Sequence, residues 1–410
     1  MPRGPNPLPL LGGLYTVQGV VFGFTTGVLI PLLAQRGVSL EDQTGVLALA
    51  SFPWVFKLPI ALALDRLRPG AAKAAGLSMV VLGIGLAGLG GLGDALPTFS
   101  GLGAAWLGIN VLLAAQDISA DVLAIDAVAP EHRGRANGVM WAGLTVGQTL
   151  LGTLGLGAVL HRLGLGAALV LLAAFVALGG MWSMRSSIAT VLSASREGVV
   201  EVLRTPSTWL LGGLASVFIV ADVGTSALSG ALWIQRLHWP MERITTTLPL
   251  VVLFALVLGY AVAALVVDRI GHARAAASGS VALGASWALF AALEPLWSAV
   301  PFLYGFVIVQ AIPTALLYVG LYAWLMDRVL PRFRATHYAV FMSLLNLPRV
   351  WAPTLAPDAL EALGWPALFA VAGALQATLG GLAWWVARGT ARARGTATAR
   401  GTARDRRAAG

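Results

Sequence analysis

The sequence predicts an all-α integral membrane protein of about twelve transmembrane helices, arranged as two six-helix bundles. Three observations predict it. Of the 410 residues, 58% are hydrophobic and 11% charged, with mean hydropathy +0.81. A soluble domain carries about 25% charged residues, so the shortfall calls for a surrounding solvent that is itself apolar. Short motifs recur at an offset near 200 residues. The basic residues collect on alternate loops.

The elements follow in order. A spanning helix takes about 20 apolar residues, and apolar runs place spans near 8–34, 43–64, 72–93, 98–126, 136–160 and 165–184. A second set follows near 207–235, 244–267, 274–293, 298–327, 336–357 and 365–387. The first run, from about Leu8 to Leu33, exceeds a signal-peptide core and no cleavage site follows it. Residues 1–184 form the first bundle, 185–206 a polar cytoplasmic linker, and 207–387 the second bundle. The tail 388–410 repeats GTARAR, GTATAR and GTARDR. It is too polar to pack and is expected to be disordered; it reads first as a tolerated repeat expansion, with attraction to anionic lipid headgroups as the functional alternative.

The repeat supports two similar halves. Asp65-Arg66 ends the second span and Asp268-Arg269 the eighth. Asp126-x3-Pro130-x2-Arg133 ends the fourth, and Asp327-x3-Pro331-x2-Arg334 the tenth. Gln35-Arg36 and Gln235-Arg236 follow the first and seventh. Three matches at nearly one offset imply six helices plus six in the same orientation. Asp65, Arg66, Asp126, Arg133, Asp268 and Arg269 are the candidate gating residues.

Charge sets orientation and excludes function classes. With both termini in the cytoplasm, four basic residues lie outside (Arg36, Arg162, Arg236, Arg243) and two within spans (Lys57, Arg349). The rest of the 27 face the cytoplasm, as the positive-inside rule requires. The net charge of +9 is therefore mostly topology, and no nucleic-acid partner is expected. The location expected is a bacterial inner membrane. There are no cysteines, and no HExxH, GxSxG or Walker motif, so an enzyme, a cofactor and a metal are not expected. The five histidines, 132, 161, 238, 272 and 337, fall near helix ends and read as interfacial loop residues.

A charge in the hydrocarbon layer costs several kcal/mol and needs a partner or a wet cavity. Gln116-Asp117 and Asp121 lie in the fourth span, with Asp117 and Asp121 one turn apart on one face. Two acids in low dielectric cannot both ionise cheaply, so one is expected to hold a proton. Lys57 lies at about the depth of Asp117, which makes them a candidate pair; together with Asp121 they form a candidate proton-coupling group. Asp222 and Arg349 lie near mid-depth of the seventh and eleventh spans, as a pair or as contacts for the two ends of a solute. Gln310, Tyr318 and Tyr322 make a stripe on the tenth span, which suits a sugar or aromatic solute. Gln18, with Tyr15, Thr25 and Thr26, gives a weaker polar stripe on the first span. Beside it Gly19, Gly23 and Gly27 read as a packing seam.

Val55-Phe56-Lys57 with Asp65-Arg66 resembles the second-helix segment of the AmpG-like muropeptide permeases. Gln116-Asp117-Ile118, Asp121, Asp126, Pro130-Glu131 and Arg133-Gly134 resemble their fourth-helix segment. Asp268-Arg269-Ile270-Gly271-His272-Ala273-Arg274 resembles the loop motif DRxGxxR of the major facilitator superfamily, to which these permeases and the acetyl-CoA transporter group belong. The resemblance covers the first five helices by motif and the second half by architecture. The family's helix-4 Trp-Lys is Leu123-Ala124 here, and its helix-2 Pro is Leu62. The resemblance implies a two-lobed fold with a central cavity, proton-driven symport, and a muropeptide-like solute carried by a monomer. A siderophore or drug-like solute permease or exporter, or a non-transporting membrane scaffold, would use the same elements.

Overall fold

In a computed structural model, the described residues are 6–38, 40–67, 70–98, 100–188, 190, 196–240 and 243–385. The expected tail, 388–410, lies outside them. Among these residues the regular structure is helical, apart from an isolated bridge at Gly70.

The spans are α1 (Leu8–Leu33), α2 (Gly45–Val55 and Lys57–Leu64), α3 (Ala71–Gly90) and α4 (Leu102–Ala127). The next helical stretch, Pro130–Met184, is 55 residues long, well over twice what one crossing needs. Gly164, at φ 84°, breaks it because only glycine takes that backbone without strain. We therefore number residues 133–163 as α5 and 165–184 as α6. Then come α7 (Pro206–Ala227), α8 (Leu248–Ile270), α9 (His272–Ala292), α10 (Val300–Met326) and α12 (Trp365–Trp385). Between the last two, Arg334–Asn346 and Pro348–Leu363 make up α11, a broken span.

Small residues set the packing within each half. α1 lies against α5 along Gly19 and Gly23, where a Cβ would strike the carbonyls of Leu144 and Gln148. Gly147 and Gly152 face back onto Thr16 and Val20. α3 meets α6 at Gly76 and Gly180, and α9 meets α12 at Gly284 and Gly373, backbone against backbone. Such seams replace the hydrophobic drive that lipid cannot supply between helices. The outer faces stay apolar: Leu178 is 61% exposed and Phe254 60%. Water would not tolerate that display over a whole bundle, whereas lipid favours it. The protein is a multi-pass membrane protein with an all-α fold of two six-helix bundles.

Several helices are irregular, α11 at Pro348, where proline is expected to bend the span, and the others where the sequence reading drew them continuous. α2 bends by 57° between its two segments. α11 breaks at Leu347, before Pro348, which cannot donate to the helix ladder. π-turns occupy Thr25–Leu29 in α1 and Gly147–Gly155 in α5. The extension of α7 past Leu228 carries another at Leu232–Arg236. The linker also departs from a plain polar loop. Arg196–Arg204 is helical, and its Val202 is fully buried with Phe333 and Val340 at the start of α11.

Candidate functional site

The two halves meet through a set of reciprocal polar contacts. They lie where α4, α8 and α10 end and α5, α9 and α11 begin, the end richest in basic loops. Arg133 donates to Asp327 at 2.8 Å, to the Met326 carbonyl at 3.1 Å and to the Ile125 carbonyl at 3.0 Å. Arg334 pairs with Asp126 in the opposite sense. The repeated Asp-x6-Arg motif is thus crossed, each copy closing on the other. Asp268 takes the N–H groups of Gly134 at 2.7 Å and Arg135 at 3.1 Å, a carboxylate at the positive end of α5. Gly134 permits this approach, since a Cβ there would strike the Asp268 side chain. His272 bridges Asp327 at 2.6 Å and Asp268 at 3.4 Å. Arg269 is exposed and takes no part. Asp65 and Arg66 stand at the end of α2, with side chains outside the described residues.

Histidine departs from the interfacial reading in two cases. His272 belongs to this closure. His337 is 1% exposed; its Nδ1 accepts from Leu330 N–H and its Nε2 faces Thr208 Oγ1, both at 3.0 Å. With Nδ1 accepting, Nε2 carries the proton and donates to Thr208.

Beyond the closure lies a cavity of about 420 Å³ between the halves, lined from α1, α2, α4, α5, α10 and α11. Its lining residues occupy 15–26 of α1, 47–57 of α2 and 110–121 of α4, so it extends from mid-depth away from the closed end. Lys57, Asp117 and Asp121 lie on its wall, each under 6% exposed. Lys57 is paired with Asp117. Gln18 Nε2 donates to the other Asp117 oxygen at 3.2 Å, and the Tyr15 hydroxyl to Asp121 at 3.0 Å. The break in α2 falls at Phe56 and brings Lys57 to the start of a helical segment. Trp54, one turn away, lies under its ammonium at 4.9 Å.

The expected solute contacts divide. Gln18, Tyr322 and Arg349 line the cavity, whereas Gln116, Asp222, Gln310 and Tyr318 are not among its lining residues. Gln116 is fully buried, because one residue before Asp117 is about 100° around the helix. Asp222 accepts the Tyr318 hydroxyl at 2.5 Å. Among the described residues no contact within 4 Å joins it to Arg349. Gln310 is half-buried, and among the described residues its side-chain amide makes no hydrogen bond.

Four lining residues, Trp54, Asn110, Trp141 and Asn346, carried no signal that singled them out. Trp141 of α5 sits among Tyr260, Tyr318 and Tyr322 of the other half, at centroid distances of 5.9, 6.0 and 5.3 Å. Trp54 Nε1 donates to Asn110 at 3.0 Å, and Asn346 of α11 donates to the Trp54 carbonyl at 3.2 Å. Aromatic residues are common at helix interfaces, so only their meeting at one cavity distinguishes them. Among the described residues no group of three or more His, Asp or Glu side chains could hold a metal ion.

No family model matches the sequence. Solved structures do resemble it. The crystal structure of the human organic anion transporter MFSD10 (TETRAN) matches at TM-score 0.69 and 16% identity, over 92% of this chain and 98% of that one. The E. coli fucose:proton symporter FucP matches at TM-score 0.73 and 12% identity, over 92% and 98%. A bacterial homologue of the iron transporter ferroportin, in an outward-facing state, matches at TM-score 0.65 and 16% identity, over 91% and 96%. At these identities the likeness is one of architecture, and the chain has the fold of the major facilitator superfamily.

Proposed function

We propose that the protein is a secondary active transporter that couples proton entry to import of a small polar solute across a bacterial inner membrane. Lys57, Asp117 and Asp121 form the coupling group. The observation that carries the reading is the buried Lys57–Asp117 pair, with a second acid one turn away, on the wall of a cavity between two pseudo-symmetric halves. One ammonium serves two carboxylates in a medium that penalises each uncompensated charge. A proton on Asp121 leaves Lys57 to Asp117 alone. Its release sets two acids competing for one cation and reorganises the pair.

The signal can reach the other half at once. Lys57 is three residues from Trp54, whose carbonyl accepts from Asn346 across the interface. With the basic loops in the cytoplasm, the crossed Asp–Arg contacts close the cytoplasmic side and the cavity faces outward. Rocking one half against the other would then break those contacts and re-form equivalent ones opposite. The fucose:proton symporter and the organic anion transporter are solute carriers on the same architecture, which supports transport as the activity. Fold alone fixes no cargo; the helix-2 and helix-4 motifs favour a muropeptide-like one.

The test is uptake of labelled GlcNAc-anhydroMurNAc peptide into proteoliposomes, with and without an inward proton gradient. Wild type should accumulate it only with the gradient. Asp117→Asn should lose at least about a hundredfold of the gradient-driven rate, the scale on which proton-transfer groups act, while still folding and reconstituting, at a lower melting temperature because Lys57 loses its counter-charge. Unchanged uptake in that variant would remove Asp117 from coupling. No accumulation by folded wild type would remove the muropeptide and direct the assay to siderophores and drug-like solutes.

A further inference from the structure

The cavity wall carries four formal charges: Lys57, Asp117, Asp121 and Arg349. Three are committed. Lys57 holds Asp117, Gln18 also donates to Asp117, and Tyr15 donates to Asp121. Arg349 differs. It follows Pro348 at the break in α11 and is exposed to the cavity although helices surround it. Among the described residues no carboxylate lies within 4 Å of its guanidinium. The acid that acts on it from further away, Asp222, accepts the Tyr318 hydroxyl instead. Its polar neighbour is the Tyr322 hydroxyl, which is neutral. A guanidinium at this depth needs a counter-charge, and among the described residues none is set in direct contact with it, Asp222 acting only from further away.

The rest of the wall describes what could bring that charge. Phe22, Trp54, Trp141 and Tyr322 offer ring faces from four helices, enough apolar surface for one or two rings. Amide groups of Gln18, Asn110, Gln148 and Asn346 supply neutral polar contacts. A volume of about 420 Å³ is in the range of small-molecule sites. With a proton on Asp121, two cations face one ionised acid, so the wall is complementary to a single negative charge. The planar fork of arginine matches a carboxylate in two parallel hydrogen bonds.

We propose that the transported solute is a ring-bearing organic monocarboxylate, held with its carboxylate on Arg349 and its ring among Phe22, Trp54, Trp141 and Tyr322. The proposal rests on the transporter reading and adds the solute class. It also ties the two fluxes together: the proton that neutralises Asp121 leaves the surplus positive charge that the anion answers.

The experiment is calorimetric titration of purified full-length protein with phenylacetate and N-acetylmuramate, each beside its neutral amide. Both acids should bind, each about tenfold to a hundredfold more tightly than its amide, the size of a charge-assisted hydrogen-bond contribution. Arg349→Gln should erase that difference. Arg349→Lys, which keeps the charge but not the fork, should retain part of it. The acid-to-amide ratio in wild type needs no variant, so the test stands even where Arg349→Gln does not fold. Equal binding of acid and amide, or no binding of either acid at millimolar concentration, overturns the proposal. Flux in proteoliposomes separates the two readings. Proton-driven uptake of a neutral solute without acid preference would sink the carboxylate site and leave the transporter. Acid-selective binding without flux would do the reverse.

Discussion

At the scale of single residues, the central fact is that Lys57 and Asp117 are both nearly inaccessible and depend on each other. Removing one partner of a buried pair leaves an uncompensated charge, at about 3–5 kcal/mol, whereas removing both is often close to neutral. Lys57→Ala should therefore lower the thermal stability of the purified protein sharply. Lys57→Ala with Asp117→Ala should recover most of the loss, as a double-mutant cycle would measure. Loss in the double variant equal to the sum of the singles would mean that the pair does not couple in the folded state. Trp54 is the residue whose importance only contacts reveal. It lies under the Lys57 ammonium, donates to Asn110 and accepts from Asn346, so one side chain and its own carbonyl tie the pair to both halves.

At the scale of elements, glycine decides how closely the helices approach. A Cβ on Gly23 would meet the Gln148 carbonyl, and one on Gly19 the Leu144 carbonyl. Both obstacles are backbone, so no side-chain rotation relieves them. Gly23→Ala should cost about 1–3 kcal/mol, the usual range for overpacking. Gly85→Ala and Gly108→Ala, where nothing lies within 4 Å, should be neutral or slightly stabilising by helix propensity. Melting curves in one detergent compare all three; equal losses would mean that the α1–α5 seam is not close-packed. Where glycine permits approach, proline and the π-turns permit bending. The breaks at Phe56 in α2 and Leu347 in α11 lie beside Lys57 and Arg349, the two cations of the cavity. A straight helix would keep its backbone polar groups satisfied, so irregularity beside both charges marks the wall that the site uses.

At the scale of the whole molecule, the crossed contacts Arg133–Asp327 and Arg334–Asp126 hold one end shut. In the transporter reading they set the balance between outward- and inward-facing states. Arg334→Asp should place two acids together and open that end. Adding Asp126→Arg should close it again by restoring opposite charges. Because the sequence has no cysteine, one introduced thiol reports without background. Maleimide labelling of Met326→Cys, at a site 1% exposed, should rise several-fold with Arg334→Asp, about what a shift of 1 kcal/mol in the two-state balance gives. It should fall back in the swapped variant. Equal labelling in all three backgrounds would exclude these pairs as a latch.

The sequence by itself determined the solvent, the number of crossings and the existence of two similar halves. Composition reports solvent directly, apolar run length reports membrane thickness, and the Asp126–Arg133 and Asp327–Arg334 repeats survive as written motifs. It also narrowed the intramembrane charges to a handful, because each is costly enough to be conspicuous. Only the tertiary structure decided which of them meet. Depth along a helix follows from counting residues, so Lys57 and Asp117 were legible as partners. Direction around the helix and contact between helices follow from how bends, seams and breaks combine across the bundle; a glycine stripe or a proline marks one of them locally without saying which helix it will meet. That is why Gln116 and Gln310 lie outside the lining while Trp54 and Trp141 join it. It is also why Asp222 pairs with Tyr318 and why, among the described residues, no carboxylate lies within 4 Å of Arg349 on the cavity wall.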